Sequence, residues 1–179
     1  MYARRDIMKG VATLPLAAIL ADPLLARAAA EMTEDVNLKL DGGQSVTAAV
    51  IYPEVTPAPA VLLIHEWWGL NDQIKAVAAE LAREGYVAVA VDLYEGKVAS
   101  NADEAGQHMK AVKPETATET LEKWISWTRE NEKTTDNLGT VGWCFGGGWA
   151  LNASIAAPTE ATIVYYGSVA RDAAQLKEL

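Results

Sequence analysis

Leu138-Gly139-Thr140-Val141-Gly142-Trp143-Cys144-Phe145-Gly146-Gly147-Gly148-Trp149-Ala150 runs from an apolar, strand-like segment straight into a helix of small residues. Cys144 stands at the junction and is the only cysteine among 179 residues. Gly142 and Gly146 flank it in the order G-x-C-x-G, the pattern of a nucleophile elbow with a thiol in place of the usual serine. A sharp strand-to-helix turn of this kind needs flanking residues without a Cβ, because the backbone passes too close for one. The side chain at the turn is lifted clear of the sheet. The amides of the first helical turn are placed to stabilise a negatively charged thiolate there.

Upstream of the elbow the chain alternates strand with helix. Val36–Leu40 and Val46–Tyr52 flank the turn Asp41-Gly42-Gly43 and predict an antiparallel hairpin at a sheet edge. Ala60–His65 and Tyr86–Asp92 are continuous apolar runs, as expected of strands covered on both faces. Between them Ile74, Val77, Ala78 and Leu81 form one helical stripe over Asp72–Glu84, with Gly85 as the stop. Asn101-Ala102-Asp103-Glu104 predicts a capping box, and Leu121, Trp124, Ile125 and Thr128 a helix that starts near Pro114. The elbow strand, expected over Leu138–Trp143, its helix to Ala157, and a last strand over Ala161–Tyr166 complete the series. The order predicts an α/β fold, a doubly wound and mostly parallel sheet whose ligands sit beyond the carboxyl ends of the strands.

His65-Glu66-Trp67-Trp68-Gly69 ends a central strand on that same side. A carboxylate there is costly to bury unless paired, which makes Glu66 the candidate to hydrogen-bond the Cys144 thiol and take its proton. The amides of Trp67 and Phe145 are the candidate donors to an oxyanion. Trp67 and Trp68 line a pocket or cap the core. His65 is expected to anchor its loop and His108 to lie on a polar helix surface. Asp92 is a carboxylate on the ligand side of the sheet or, as is commoner at a strand end, a cap for the following turn, and Trp124, Trp127 and Trp149 are expected to pack in the core or between helices.

Residues 1–30 carry Arg4-Arg5, an apolar stretch from Gly10 to Leu20, and the small-residue triplets Ala26-Arg27-Ala28 and Ala28-Ala29-Ala30. That order predicts a twin-arginine export signal, hence a periplasmic protein whose remaining 31–179 form one domain without stable membrane insertion. With residues 1–30 set aside, 11 basic and 22 acidic residues remain, a net charge of −11. No basic cluster interleaves with aromatics, which excludes nucleic acid as an expected partner. One cysteine and two histidines exclude a cysteine-rich metal centre. No cofactor or metal is expected, and the protein is expected to be a monomer.

Four motifs together resemble the dienelactone hydrolase family, the cysteine branch of the α/β-hydrolase fold. They are His65-Glu66-Trp67-Trp68-Gly69, Gly85-Tyr86 leading into Asp92-Leu93-Tyr94, Gly142-Trp143-Cys144-Phe145-Gly146-Gly147, and Tyr165-Tyr166-Gly167. The resemblance spans about residues 33–169. It implies a hydrolase of small esters or lactones, of the carboxymethylenebutenolidase type, that works through a cysteinyl acyl-enzyme. Cys144 is then the nucleophile and Glu66 its control, with Trp67 and Phe145 holding the oxyanion. Trp68 and Tyr94 are expected to line the substrate pocket, with Lys97 as a point charge in Glu95-Gly96-Lys97, where family members that bind acidic dienelactones carry an arginine. The family's triad places an acid and then a histidine after the nucleophile, whereas Asp172, Glu160 and Glu178 follow Cys144 here and no histidine does. The expectation is an α/β-hydrolase fold lacking its last strands and helices, a fragment with little turnover of its own. A natural pseudoenzyme, a non-catalytic binding module and a thiol redox sensor are the alternatives.

Overall fold

The computed structural model describes residues 14–179. The paired arginines expected of an export signal lie outside the described residues. Six strands form one sheet in the order β1-β2-β4-β3-β5-β6. They are β1 (Glu34–Lys39), β2 (Ser45–Ile51), β3 (Ala58–Ile64), β4 (Val87–Val91), β5 (Thr134–Trp143) and β6 (Ala161–Tyr165). The β1–β2 hairpin is antiparallel and forms one edge, while β4, β3, β5 and β6 are mutually parallel. The helices are α1 (Leu16–Ala21), α2 (Pro23–Ala30), α3 (Asp72–Arg83), α4 (Ala102–Ala111), α5 (Pro114–Glu130) and α6 (Phe145–Ala156). The mostly parallel, doubly wound sheet predicted from the sequence is the one observed.

Strand alternation sorts the core into two layers. In β4, Val87, Val89 and Val91 face α5 and α6 with Leu121, Trp124 and Ala150. Ala88 and Ala90 face α3, meeting Ile74, Ala78 and Ala82. Small residues on the second face let α3 lie close; the larger valines fill the space under the bulkier pair. Trp124 is fully buried.

β5 begins at Thr134, earlier than its apolar pattern suggests. Thr134 pairs with Ala58 across a register shift, and the Ala58 N–H donates to the Lys133 carbonyl at 3.0 Å. Backbone pairing at the sheet's rim thus extends the strand through residues that are polar because they are exposed. At α4, Asn101 Oδ1 caps the Glu104 N–H at 3.0 Å, but the Glu104 carboxylate accepts from Ser100, one residue before the position that a capping box requires. Residues 16–30, read as part of an export leader, form two helices on α3, with Ile19, Ala26 and Ala29 buried against Ala76.

The chain passes from β3 to β4 on one side and then returns to β5 on the other side of β3. The strand order therefore reverses between β3 and β5, so a crevice opens at their carboxyl ends. Gly142 and Gly146 close the turn there. A Cβ on Gly142 would collide with the Gly146 carbonyl, and one on Gly146 with the carbonyls of Ile64 and His65. Gly146→Ala should destabilise the fold by about 3 kcal/mol through that overpacking. Gly106→Ala, inside α4 with open space around it, should stabilise by about 0.5–1 kcal/mol. Denaturant melts of the two variants check the opposite signs.

Candidate active site

Cys144 sits between β5 and α6 with φ 54° and ψ −118°, a backbone conformation that residues with a Cβ rarely adopt. Two backbone bonds hold it. Its N–H donates to the Tyr165 carbonyl at 3.0 Å, and its own carbonyl accepts from Gly147 N–H at 3.1 Å. Cys144 is half-buried rather than sealed in the core. α6 starts at the next residue, so the positive end of its dipole lies beside Cys144.

Glu66 follows β3 on the neighbouring strand, whose Ile64 pairs with Gly142. Topology thus brings Cys144 and Glu66 to the same crevice. The Glu66 carboxylate, expected on the thiol, is instead hydrogen-bonded to Tyr166, whose hydroxyl donates to Oε1 at 2.7 Å. Tyr166 is reached because β6 ends beside the elbow and the chain turns there with φ 42°. The hydrogen bond to Glu66, with smaller contributions from burial and from the charges of Glu66 and Cys144, pushes the Tyr166 hydroxyl up to about 12. The amides of Trp67 and Phe145 have no acceptor among the described residues, leaving two N–H groups free near the crevice.

His65 is fully buried. Its Nδ1–H donates to the Glu66 carbonyl at 2.6 Å and its Nε2 accepts from Leu93 N–H at 3.1 Å. Those partners fix one neutral tautomer, and burial holds the ring below the usual histidine range against the opposing pull of the Glu66 carbonyl and Asp92. His65 therefore ties the β3 end to the β4 end, which matches the anchoring role read from the sequence. Asp92 caps the following turn, accepting from Tyr94 N–H at 2.8 Å and from Gly96 N–H.

Tyr94 is 3% exposed, and its hydroxyl has no hydrogen-bond partner. Burial, and then the nearby Cys144, push it well above the ordinary phenol range. His108, read as a surface residue, is instead half-buried, its ring centroid 5.7 Å from that of Tyr94 in an edge-on arrangement. The amphipathic turn of α4 brings it inward. Lys97 is exposed and paired with Glu95 at 3.7 Å. With Tyr94, His108 and Thr116 it borders a cavity of about 180 Å³ beside α4. A larger, mainly apolar groove of about 790 Å³ has Glu66 and Tyr166 at one end and Ile74, Val77 and Ile163 along its length. Of the expected pocket residues, Tyr94 and Lys97 border the smaller cavity, whereas Glu66, read as the proton acceptor, borders the groove. Trp68 packs edge-on against Trp67, ring centroids 5.2 Å apart, and its carbonyl accepts from Ala99 N–H.

Of the acids after the elbow, Glu160 accepts from Leu138 N–H at 2.8 Å and Asp172 from Gln175 N–H at 2.8 Å, so both serve local backbone. Among the described residues no cluster of three His, Cys, Asp or Glu side chains is arranged as metal ligands would be. No helix among them is long and apolar enough to cross a membrane.

Because the native ring stays neutral while an unfolded His65 takes up a proton, stability should fall as pH drops through about 6.5. His65→Gln should flatten that part of the profile. Urea melts from pH 8 to pH 5 measure it; an unchanged slope in the variant would contradict the assignment.

Residues 46–179 match the model of the dienelactone hydrolase family. Protein usf of Aquifex pyrophilus is 33% identical over 118 residues, covering 61% of this chain and 51% of that protein. The carboxymethylenebutenolidase of Pseudomonas putida is 26% identical over 145 residues, covering 76% and 61%. The chain thus spans about half to two-thirds of the length of the curated relatives it matches. In fold it is similar to a dienelactone hydrolase-like promiscuous phosphotriesterase from metagenomic libraries, with a TM-score of 0.70, 21% identity, and coverage of 80% and 62%. It is also similar to an esterase of Pyrobaculum calidifontis, with a TM-score of 0.61, 20% identity, and coverage of 88% and 54%. The chain belongs to the dienelactone hydrolase family.

Proposed function

We propose that the protein carrying this chain hydrolyses small esters or lactones through a thioester on Cys144. The observation that carries the reading is the strained elbow: a half-buried cysteine at the switch point of the sheet, at the start of α6, with Glu66 at the neighbouring strand end. Membership of the family, and the carboxymethylenebutenolidase activity named for the Pseudomonas putida relative, support the substrate class.

In this reading Glu66 takes the thiol proton and Sγ attacks the carbonyl carbon. The carbonyl electron pair moves to oxygen, where the free amides of Trp67 and Phe145 stabilise it. Collapse of the tetrahedral intermediate expels the alkoxide, which is protonated and, from a lactone, stays tethered to the acyl group. Water then cleaves the thioester. That last step calls for an imidazole beside Cys144. His65 has both ring nitrogens committed to backbone groups and His108 lies against Tyr94. Neither is placed to assist it.

Export remains part of the proposal. The basic, apolar and small-residue order of residues 1–30 supports it, and with it a periplasmic location. The shortage of basic residues after that segment argues for a small-molecule rather than a nucleic-acid partner.

The full-length protein should release an aryl alcohol from an aryl acetate with a burst and carry an acetyl group on Cys144 by intact-mass and peptide mass spectrometry. Cys144→Ala should lower turnover by at least about a thousandfold. Turnover that survives Cys144→Ala would sink the proposal.

A further inference from the structure

We propose that Tyr166 is a positioning residue for Glu66: its hydroxyl commits one carboxylate oxygen and so keeps the carboxylate in the crevice from closing on the Cys144 thiol at rest. The inference rests on the reading of Glu66 as the group that takes the thiol proton. Three observations carry it. The Tyr166 hydroxyl donates to Glu66 Oε1 at 2.7 Å across a sequence separation of 100 residues. Tyr166 and Cys144 are two of the three non-glycine residues with positive φ among the described residues, at 42° and 54°, and they follow adjacent parallel strands. The path between them is tightly determined: the Cys144 N–H is bonded to the Tyr165 carbonyl, and Gly167 is pressed onto the first turn of α6, where a Cβ on it would lie 2.6 Å from Gly147 Cα. Strain of this kind persists only where surrounding packing enforces it, and it concentrates at working sites. Here its product is a phenol delivered to a carboxylate. Each residue of Tyr165-Tyr166-Gly167 contributes to that delivery. Tyr165 stacks on Trp143 at 5.8 Å, Gly167 permits the close approach, and Tyr166 reaches across.

The titratable groups facing Cys144 and Glu66 come from three strand ends. They are Tyr94 after β4, Tyr166 after β6, and the neutral His65 before Glu66, its ring stacked 5.9 Å from that of Phe145. Removing the phenol leaves the carboxylate with its charge undiminished and free to turn to the thiol. A negative charge nearer the sulfur disfavours the thiolate.

The test is the rate of Cys144 alkylation by iodoacetamide against pH in the full-length protein, in Tyr166→Phe, Glu66→Gln and the double variant. Tyr166→Phe should move the midpoint up by about half a unit, or about threefold in rate below the midpoint. In the Glu66→Gln background the same change should move nothing. Equal shifts in both backgrounds, or a profile that answers to Glu66→Gln but not to Tyr166→Phe, would overturn the positioning role alone. A profile indifferent to Glu66→Gln would overturn the proton-taking role of Glu66 and this inference with it. Circular dichroism on each variant separates loss of fold from loss of the contact, and a second conservative change, Tyr166→Trp, should reproduce the Tyr166→Phe shift.

Discussion

The contact between the first turn of α6 and the carboxyl end of β3 sets the geometry of everything around it. Gly146 lies against the carbonyls of Ile64 and His65, and Gly147 lies against Gly167. For the helix to come that close, the chain must leave β5 in a single sharp turn. Cys144 then takes a positive φ that costs a residue with a Cβ about 1–3 kcal/mol. Dense packing on both sides keeps the turn from relaxing. The same contact fixes three strand ends at once, those of β3, β5 and β6, because Gly146 touches the first, continues the second and, through its neighbour Gly147, meets the turn after the third.

A second layer of constraint comes from His65. Its two ring nitrogens bridge the Glu66 carbonyl and the Leu93 amide, so the loop that carries Glu66, Trp67 and Trp68 cannot shift without breaking a buried hydrogen bond. Asp92 does the same for the turn that carries Tyr94, through the amides of Tyr94 and Gly96. Neutral histidine and capped aspartate thus work as backbone clamps. The side chains left to interact across the crevice are Glu66, Tyr94, Cys144 and Tyr166, one behind each of the four parallel strands.

Much of this was legible in the sequence because it follows from patterns that report backbone geometry directly. The G-x-C-x-G turn, the valine–alanine alternation of β4 and the apolar run of β3 each have one good structural solution, and topology then brings Glu66 to Cys144. Less legible were contacts that depend on long-range placement of a single atom. Nothing local in Tyr165-Tyr166-Gly167 says that the second phenol meets a carboxylate 100 residues away. Nothing in α4 says that His108 turns towards Tyr94. The polar start of β5 was hidden for the opposite reason: its pairing with Ala58 is a backbone matter that side-chain pattern does not record.

The strain at Cys144 is open to a direct thermodynamic comparison. At an ordinary position glycine is less stable than alanine by about 0.5–1 kcal/mol, owing to the freedom it loses on folding. At φ 54° and ψ −118° the order should invert. Thermal or denaturant melts of Cys144→Gly and Cys144→Ala should find the glycine variant more stable by about 1 kcal/mol or more. An alanine variant equal to or more stable than the glycine variant would mean that the thiol does not stand on a forced turn.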